Sequence, residues 1–251
     1  LVEAEETYRD LSAKAHRVVT NGFSAQWSPD GKKLAFSLGV QGYSGVALYD
    51  AATKETELLI VPGKDPRWSP DGRYIAFIRD CQALRLEELT ATEREEQTRQ
   101  ARDEEVWIMN ADGTEPRRLA RGAWPSWAAD STRIYYQSPL DNDLYAISIL
   151  RSDAQPEQRM PGPLFGPSVS PDNRRVAYLS QYSLSLQVKD LASQALLAEW
   201  CLPFDVWSPP AWSPTSRELH MGVGSSVGDR TGLWIYPLDG SEPTKVLTSQ
   251  I

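Results

Sequence analysis

Gly224-Ser225-Ser226-Val227-Gly228 has the G-x-S-x-G spacing of a nucleophile elbow, the sharp strand-to-helix turn that exposes a reactive serine. That chemistry needs a helix after the serine, with an acid and a histidine further down the chain. No helical pattern follows Ser226, and the two histidines, His16 and His220, both precede it. The Gly/Ser run therefore reads as a loop between strands, and no catalytic residue is assigned. His220 stands where Ala76 stands in an equivalent strand and reads as a core histidine. Two histidines with no Cys/His cluster cannot build the usual zinc site. Asp112-Gly113 and Asp141-Asn142-Asp143 lack the spacing of a calcium loop, and turn chemistry explains them. Gly222-Val223-Gly224 lacks the third glycine of a dinucleotide fingerprint, and there is no Walker loop. Neither a metal nor a cofactor is expected. Cys81 and Cys201 read as two unpaired thiols rather than a disulfide framework.

The elements that would position any site come from a repeat. Trp27-Ser28-Pro29-Asp30-Gly31 recurs as Trp68-Ser69-Pro70-Asp71-Gly72. Weaker copies follow at Trp127-Ala128-Ala129-Asp130, Val169-Ser170-Pro171-Asp172 and Trp212-Ser213-Pro214-Thr215. The anchors at 27, 68, 127, 169 and 212 lie 41, 59, 42 and 43 residues apart. A period near 40 marks one supersecondary unit copied several times, which buries its faces by stacking. In the second unit Pro66–Trp68 and Tyr74–Ile78 flank the Ser-Pro-Asp-Gly turn as a hairpin. Val106–Met109 makes a third strand and Arg117–Leu119 a polar fourth. Four strands per repeat predict an all-β fold, a β-propeller of four-stranded blades forming a single domain over residues 1–251. The recurring Trp is assigned to packing between blades.

The Trp-Ser-Pro-Asp-Gly-x-x-(Ile/Leu)-Ala-Phe pattern at Trp27–Phe36 and Trp68–Phe77 resembles the PD40 (WD40-like) repeat of TolB-type propellers. The resemblance covers nearly the whole chain, closely in two copies and loosely in three. It implies a non-enzymatic scaffold that binds a protein or peptide within a larger, envelope-associated complex. It also implies a periplasmic or otherwise extracytoplasmic location, with the cytoplasm as the alternative. Two other readings stay open. One is the non-catalytic gating propeller of a prolyl-oligopeptidase-like peptidase, with a hydrolase domain after Ile251. The other is the ligand-sensing domain of a membrane receptor, with a spanning helix before Leu1.

Five units carry the inner hairpin, and Thr7–Leu11 with His16–Thr20 read as the outer strands of a preceding blade. The expectation is six blades, one of them incomplete, with five blades and an N-terminal flap as the alternative. The long step adds an insertion at 82–105 that reads as helix, from its Glu/Arg spacing and the Thr90-x-x-Glu93 capping box. Its Glu88, Arg94, Glu95, Arg99 and Arg102 are candidate partner contacts if the helix is a docking arm. At the mouth of the ring, Gln26, Arg67, Ser126 and Ser168 hold one equivalent position just ahead of each turn and are the candidate binding residues.

Charge narrows the partner class. The chain carries a formal charge of −8, and no Lys/Arg run exceeds two residues. A nucleic-acid binder needs a basic stripe facing phosphates, so nucleic acid is not expected. No run approaches the roughly 20 apolar residues of a spanning helix, and no signal-peptide pattern opens the chain.

Overall fold

The repeated turn is built by its own side chains. Ser28 Oγ donates to Asp30 Oδ1 at 2.6 Å and accepts from the Lys33 N–H at 2.9 Å. Ser69 and Asp71 repeat the pair at 2.6 Å, and Ser170 and Asp172 at 2.5 Å. The residue that closes each turn is left-handed, with φ of 70° at Gly31 and 71° at Gly72. Ser131, Asn173 and Ser216 adopt the same conformation at 57–58° without the freedom of glycine. Each of the three uses its side chain to accept a main-chain N–H from the preceding repeat. Ser131 Oγ takes Asp71 N–H at 3.1 Å, Asn173 Oδ1 takes Ala129 N–H at 3.0 Å, and Ser216 Oγ takes Asp172 N–H at 3.2 Å. The loose copies of the motif thus exchange backbone ease for a bond across repeats.

The structure is a computed structural model describing residues 18–40, 43–80, 104–162, 164–180, 185–202, 209–223 and 232–248. Its strands form five four-stranded antiparallel sheets, each a simple meander in chain order. The first blade is β1 (Gly22–Trp27), β2 (Lys33–Val40), β3 (Tyr43–Asp50) and β4 (Thr56–Ile60). The second is β5 (Lys64–Trp68), β6 (Tyr74–Asp80), β7 (Glu104–Asn110) and β8 (Arg117–Arg121). The third is β9 (Ala123–Trp127), β10 (Arg133–Gln137), β11 (Leu144–Ser148) and β12 (Glu157–Met160). The fourth is β13 (Leu164–Val169), β14 (Arg175–Ser180), β15 (Ser185–Asp190) and β16 (Leu196–Cys201). The fifth is β17 (Ala211–Trp212), β18 (Glu218–Val223), β19 (Gly232–Pro237) and β20 (Thr244–Thr248).

The apolar core lies between blades, one cluster per seam. Ala35 and Val46 of the first blade meet Trp68, Ile75 and Phe77 of the second. Ala76 and Val106 meet Trp127 and Ile134 of the third. Tyr135 and Ala146 meet Val169 and Val176 of the fourth, and Ala177 and Val188 meet Leu219 and Met221 of the fifth. The anchor residues are buried accordingly, with 5% of Trp68, 8% of Trp127 and 5% of Val169 exposed. Burying most of an indole contributes several kcal/mol at about 25 cal/mol/Å². Trp27 is the exception at 51% exposed, because no cluster among the described residues links the fifth blade to the first.

Three expectations change. The described residues form five blades, not six: each sheet draws its four strands from one stretch of chain, and Val18–Thr20 form no strand. The rest of the anticipated half blade, at 7–11 and 16–17, lies outside the described residues. Of the insertion expected at 82–105, residues 82–103 also lie outside them, and Glu104 and Glu105 belong to β7 rather than to a helix. His220 is not a core histidine. Its side chain is 38% exposed beside Glu218, at 3.1 Å, because no blade among the described residues packs over that position as blades pack over Ala35, Ala76 and Ala177.

Candidate functional site at the central mouth

The innermost strand of every blade is a sheet edge, and a bare edge invites unwanted pairing. The chain blunts four of the five with a proline two residues ahead of the anchor: Pro66, Pro125, Pro167 and Pro210. One residue earlier the strand breaks register. Ser24, Asp65, Trp124 and Gly166 are left-handed, with φ of 50°, 52°, 55° and 59°, and each coincides with a bulge against the neighbouring strand. A bulge bends its strand and re-aims the side chains that follow. Holding a residue as large as Trp124 there costs on the order of 1–3 kcal/mol, which the surrounding packing must offset.

The re-aimed strands surround a cavity of about 580 Å³ lined by residues of all five blades. Gln26, Arg67, Ser126 and Ser168 all line it, so the four residues expected at the mouth are brought together. Their work differs. Gln26 Oε1 accepts the Trp68 N–H at 2.8 Å, and Ser126 Oγ accepts the Val169 N–H at 3.3 Å. Those two side chains fasten one blade to the next. The main-chain carbonyls of Arg67 and Ser168 also serve the seams, accepting the indole N–H groups of Trp127 and Trp212 at 2.9 and 2.8 Å. The side chains of Arg67 and Ser168 are left to the mouth.

Arg67 is the one charged residue among the described residues lining this cavity. Its guanidinium donates a single long bond, 3.4 Å, to the neighbouring Pro66 carbonyl. Burial pushes the group below its ordinary value, and the nearby Asp65 carboxylate opposes that shift. The guanidinium stays charged at any physiological pH. Arg67, Trp124 and Pro125 also line a second cavity of about 480 Å³, which holds the Lys64–Glu104 ion pair at 2.7 Å. Trp124 meets Phe165 edge to face there, with ring centroids 5.7 Å apart.

The arrangement offers aromatic faces, prolines, hydroxyls, an amide and one cation. Such groups bind and orient. No group of three or more His, Cys, Asp or Glu that could hold a metal occurs among the described residues. Cys201 is free and exposed. Glu88, Arg94, Glu95, Arg99 and Arg102 of the insertion, and Ser226 of the G-x-S-x-G run, lie outside the described residues. Sequence reasoning missed Trp124 and the bulges. The proline two positions before four of the five anchors was the readable signal, because it marks an edge strand facing away from a partner.

No family model matches the chain, and no curated protein matches it. Solved structures do. TolB from Acinetobacter baumannii is similar with a TM-score of 0.66 at 17% identity, over 93% of this chain and 56% of that one. The candidate TolB of Agrobacterium tumefaciens is similar at 0.62 and 15% identity, over 89% of this chain and 79% of that one. A gluconolactonase from Xanthomonas campestris follows at 0.59 and 16% identity, over 86% and 71%. The chain spans little more than half the length of the Acinetobacter protein. These likenesses show the fold: the chain is a β-propeller like that of TolB.

Proposed function

We propose that the chain is a non-enzymatic scaffold that binds a protein or peptide through its central mouth, as a subunit of a larger extracytoplasmic, envelope-associated assembly. The observation that carries this reading is the mouth itself. Proline-blunted edges, four tryptophans and one guanidinium converge there from separate blades. Among the described residues lining it there is no His, Asp, Glu, Lys or Cys, so the hydroxyls of Ser126 and Ser168 have no general base there to activate them. Aromatic and arginine side chains are the types enriched where proteins bind proteins. The likeness to TolB supports the envelope setting, and the likeness to a gluconolactonase is what an enzymatic reading would build on. Among the described residues, no helix is long and apolar enough to cross a membrane. Association with an envelope would then run through partners or through segments outside those residues.

The test is retention of protein from a host extract by the wild-type chain, by Trp124→Gly and by Trp27→Ala. Trp124→Gly removes the aromatic wall at a left-handed position that glycine accepts. A specific protein held by wild type and Trp27→Ala but released by Trp124→Gly supports the mouth. No specific protein retained, or equal retention by all three, overturns it.

A further inference from the structure

On the premise that the mouth is the binding face, we infer that Arg67 anchors a carboxylate of the bound peptide. The position it occupies is a seam position elsewhere. In the first and third blades the equivalent side chains, Gln26 and Ser126, accept a main-chain N–H of the next blade. A guanidinium has no acceptor, so the second blade gives up that bond. It takes on a part-buried charge instead, and desolvating an ion without a close partner is costly.

Among the described residues no carboxylate pairs with that charge. No ion pair joins Arg67 to any described residue, and its hydrogen bond to Pro66 is long and neutral. The carboxylate that acts on it, Asp65, already accepts the Ser24 hydroxyl at 2.5 Å. On a chain of net charge −8, the mouth is therefore lined by one residue of the opposite sign. A guanidinium fork fits a carboxylate through two parallel N–H···O bonds, and both strengthen where water is excluded. Trp124, Pro125, Pro167 and Trp212 line the same cavity, so the residues flanking the carboxylate are apolar or aromatic.

The experiment is an NMR titration of the full, ¹⁵N-labelled chain, followed at the indole signals of Trp124 and Trp212. Four probes separate the sources: N-acetylglycine for a chain-terminal carboxylate, N-acetylaspartate α-amide for a side-chain carboxylate, N-acetylglycine amide as the neutral control, and inorganic phosphate. Saturable shifts with one or both carboxylates and none with the amide support the site. Which carboxylate binds more tightly tells terminus from side chain. A response to phosphate alone overturns the assignment, as does an equal response to the neutral amide.

Arg67→Gln installs the side chain that the first blade uses, so it should fold, with a Tm equal to or above wild type. It should weaken carboxylate binding roughly tenfold or more, with Arg67→Lys in between. Unchanged carboxylate binding in Arg67→Gln sinks the inference. If Arg67→Gln keeps a partner that Trp124→Gly releases, the mouth stands as a binding face and the carboxylate anchor falls. If both variants keep the partner, the mouth reading falls as well.

Discussion

The indole N–H of Trp127 donates to the main-chain carbonyl of Arg67 at 2.9 Å, tying the third blade to the second at the one cation among the described residues lining the mouth. Trp212 of the fifth blade makes the same bond to Ser168, on the inner strand of the fourth, at 2.8 Å. The scaffold therefore takes the backbone of these residues and leaves the side chain to the channel. At the first seam the arrangement is inverted. Trp68 Nε1 is buried without a partner, and the Gln26 side chain reaches across to the Trp68 main-chain N–H instead.

This inversion separates two substitutions of one chemistry. Trp127→Phe removes a donor and strands the Arg67 carbonyl, so it should cost about 1 kcal/mol beyond the lost ring area. Trp68→Phe deletes a buried N–H that had no partner, so the lost area is offset and the net change should be near zero. Urea unfolding of both variants checks the difference. Equal losses would mean that the indole bond is not what holds the seam.

The turn that closes each inner hairpin gives a second comparison. Ser131 holds φ at 58° and accepts the Asp71 N–H at 3.1 Å. Ser131→Ala keeps the left-handed strain and loses the bond, for a loss of about 1–2 kcal/mol. Ser131→Gly loses the bond but relieves the strain, so it should fall between alanine and wild type. Denaturant midpoints give the order: glycine below alanine would contradict the strain, and alanine equal to wild type would contradict the bond's role.

How much of this was legible follows from where the information sits. The inner hairpins were readable because Ser, Pro, Asp and Gly each have a local reason to stand in a turn, and Trp68–Phe77 states that reason in one run. The third strands at Val46–Tyr49 and Leu186–Lys189 were readable from their apolar content and fall within β3 and β15. The seams were not, because Ser131, Asn173 and Ser216 look like decay of a glycine until the neighbouring blade is in place. The bulges were hidden for a similar reason. Of the left-handed residues at Ser24, Asp65, Trp124 and Gly166, only one is the glycine that signals such a conformation. At the mouth, the spacing found all four residues yet could not rank them. Gln26 and Ser126 are spent on main-chain N–H groups more than 40 residues away, whereas Arg67 is not.

Acid should loosen the blades through their turns. Asp30 is held below its ordinary value of 3.8 by the Ser28 hydroxyl and the Lys32 N–H. Asp50 is lowered by the Thr53 and Ala52 N–H groups, and Asp190 by the Ser193 N–H and hydroxyl. Asp130 is lowered by the Thr132 N–H and hydroxyl. A carboxylate with a depressed folded value binds its proton more readily when unfolded. Its contribution is complete above 3.8 and drains away as pH falls through the folded value. Urea midpoints should hold steady from about pH 7 to about pH 5 and drop below about pH 4. Asp130→Asn, whose side-chain oxygen can still accept from Thr132, should flatten part of that drop. A midpoint that does not fall in acid would remove these turns from the account.

The insertion can be tested apart from the blade that carries it. Asp80 and Glu104 face each other as Cα partners at the ends of β6 and β7, so residues 81–103 only close a hairpin. Glu104 also lines the second cavity, where it pairs with Lys64. Replacing 81–103 with Asn-Gly, the pair suited to a two-residue hairpin, should leave the ladder intact. Shortening a loop reduces its closure entropy only slowly with length, so stability should change by about 1 kcal/mol or less if the segment is only a connector. A docking arm predicts something else. Partner retention would fall while the unfolding midpoint and the indole signals at the mouth stay put. Partner retention that survives the deletion would assign binding to the mouth without help from Glu88, Arg94, Glu95, Arg99 or Arg102.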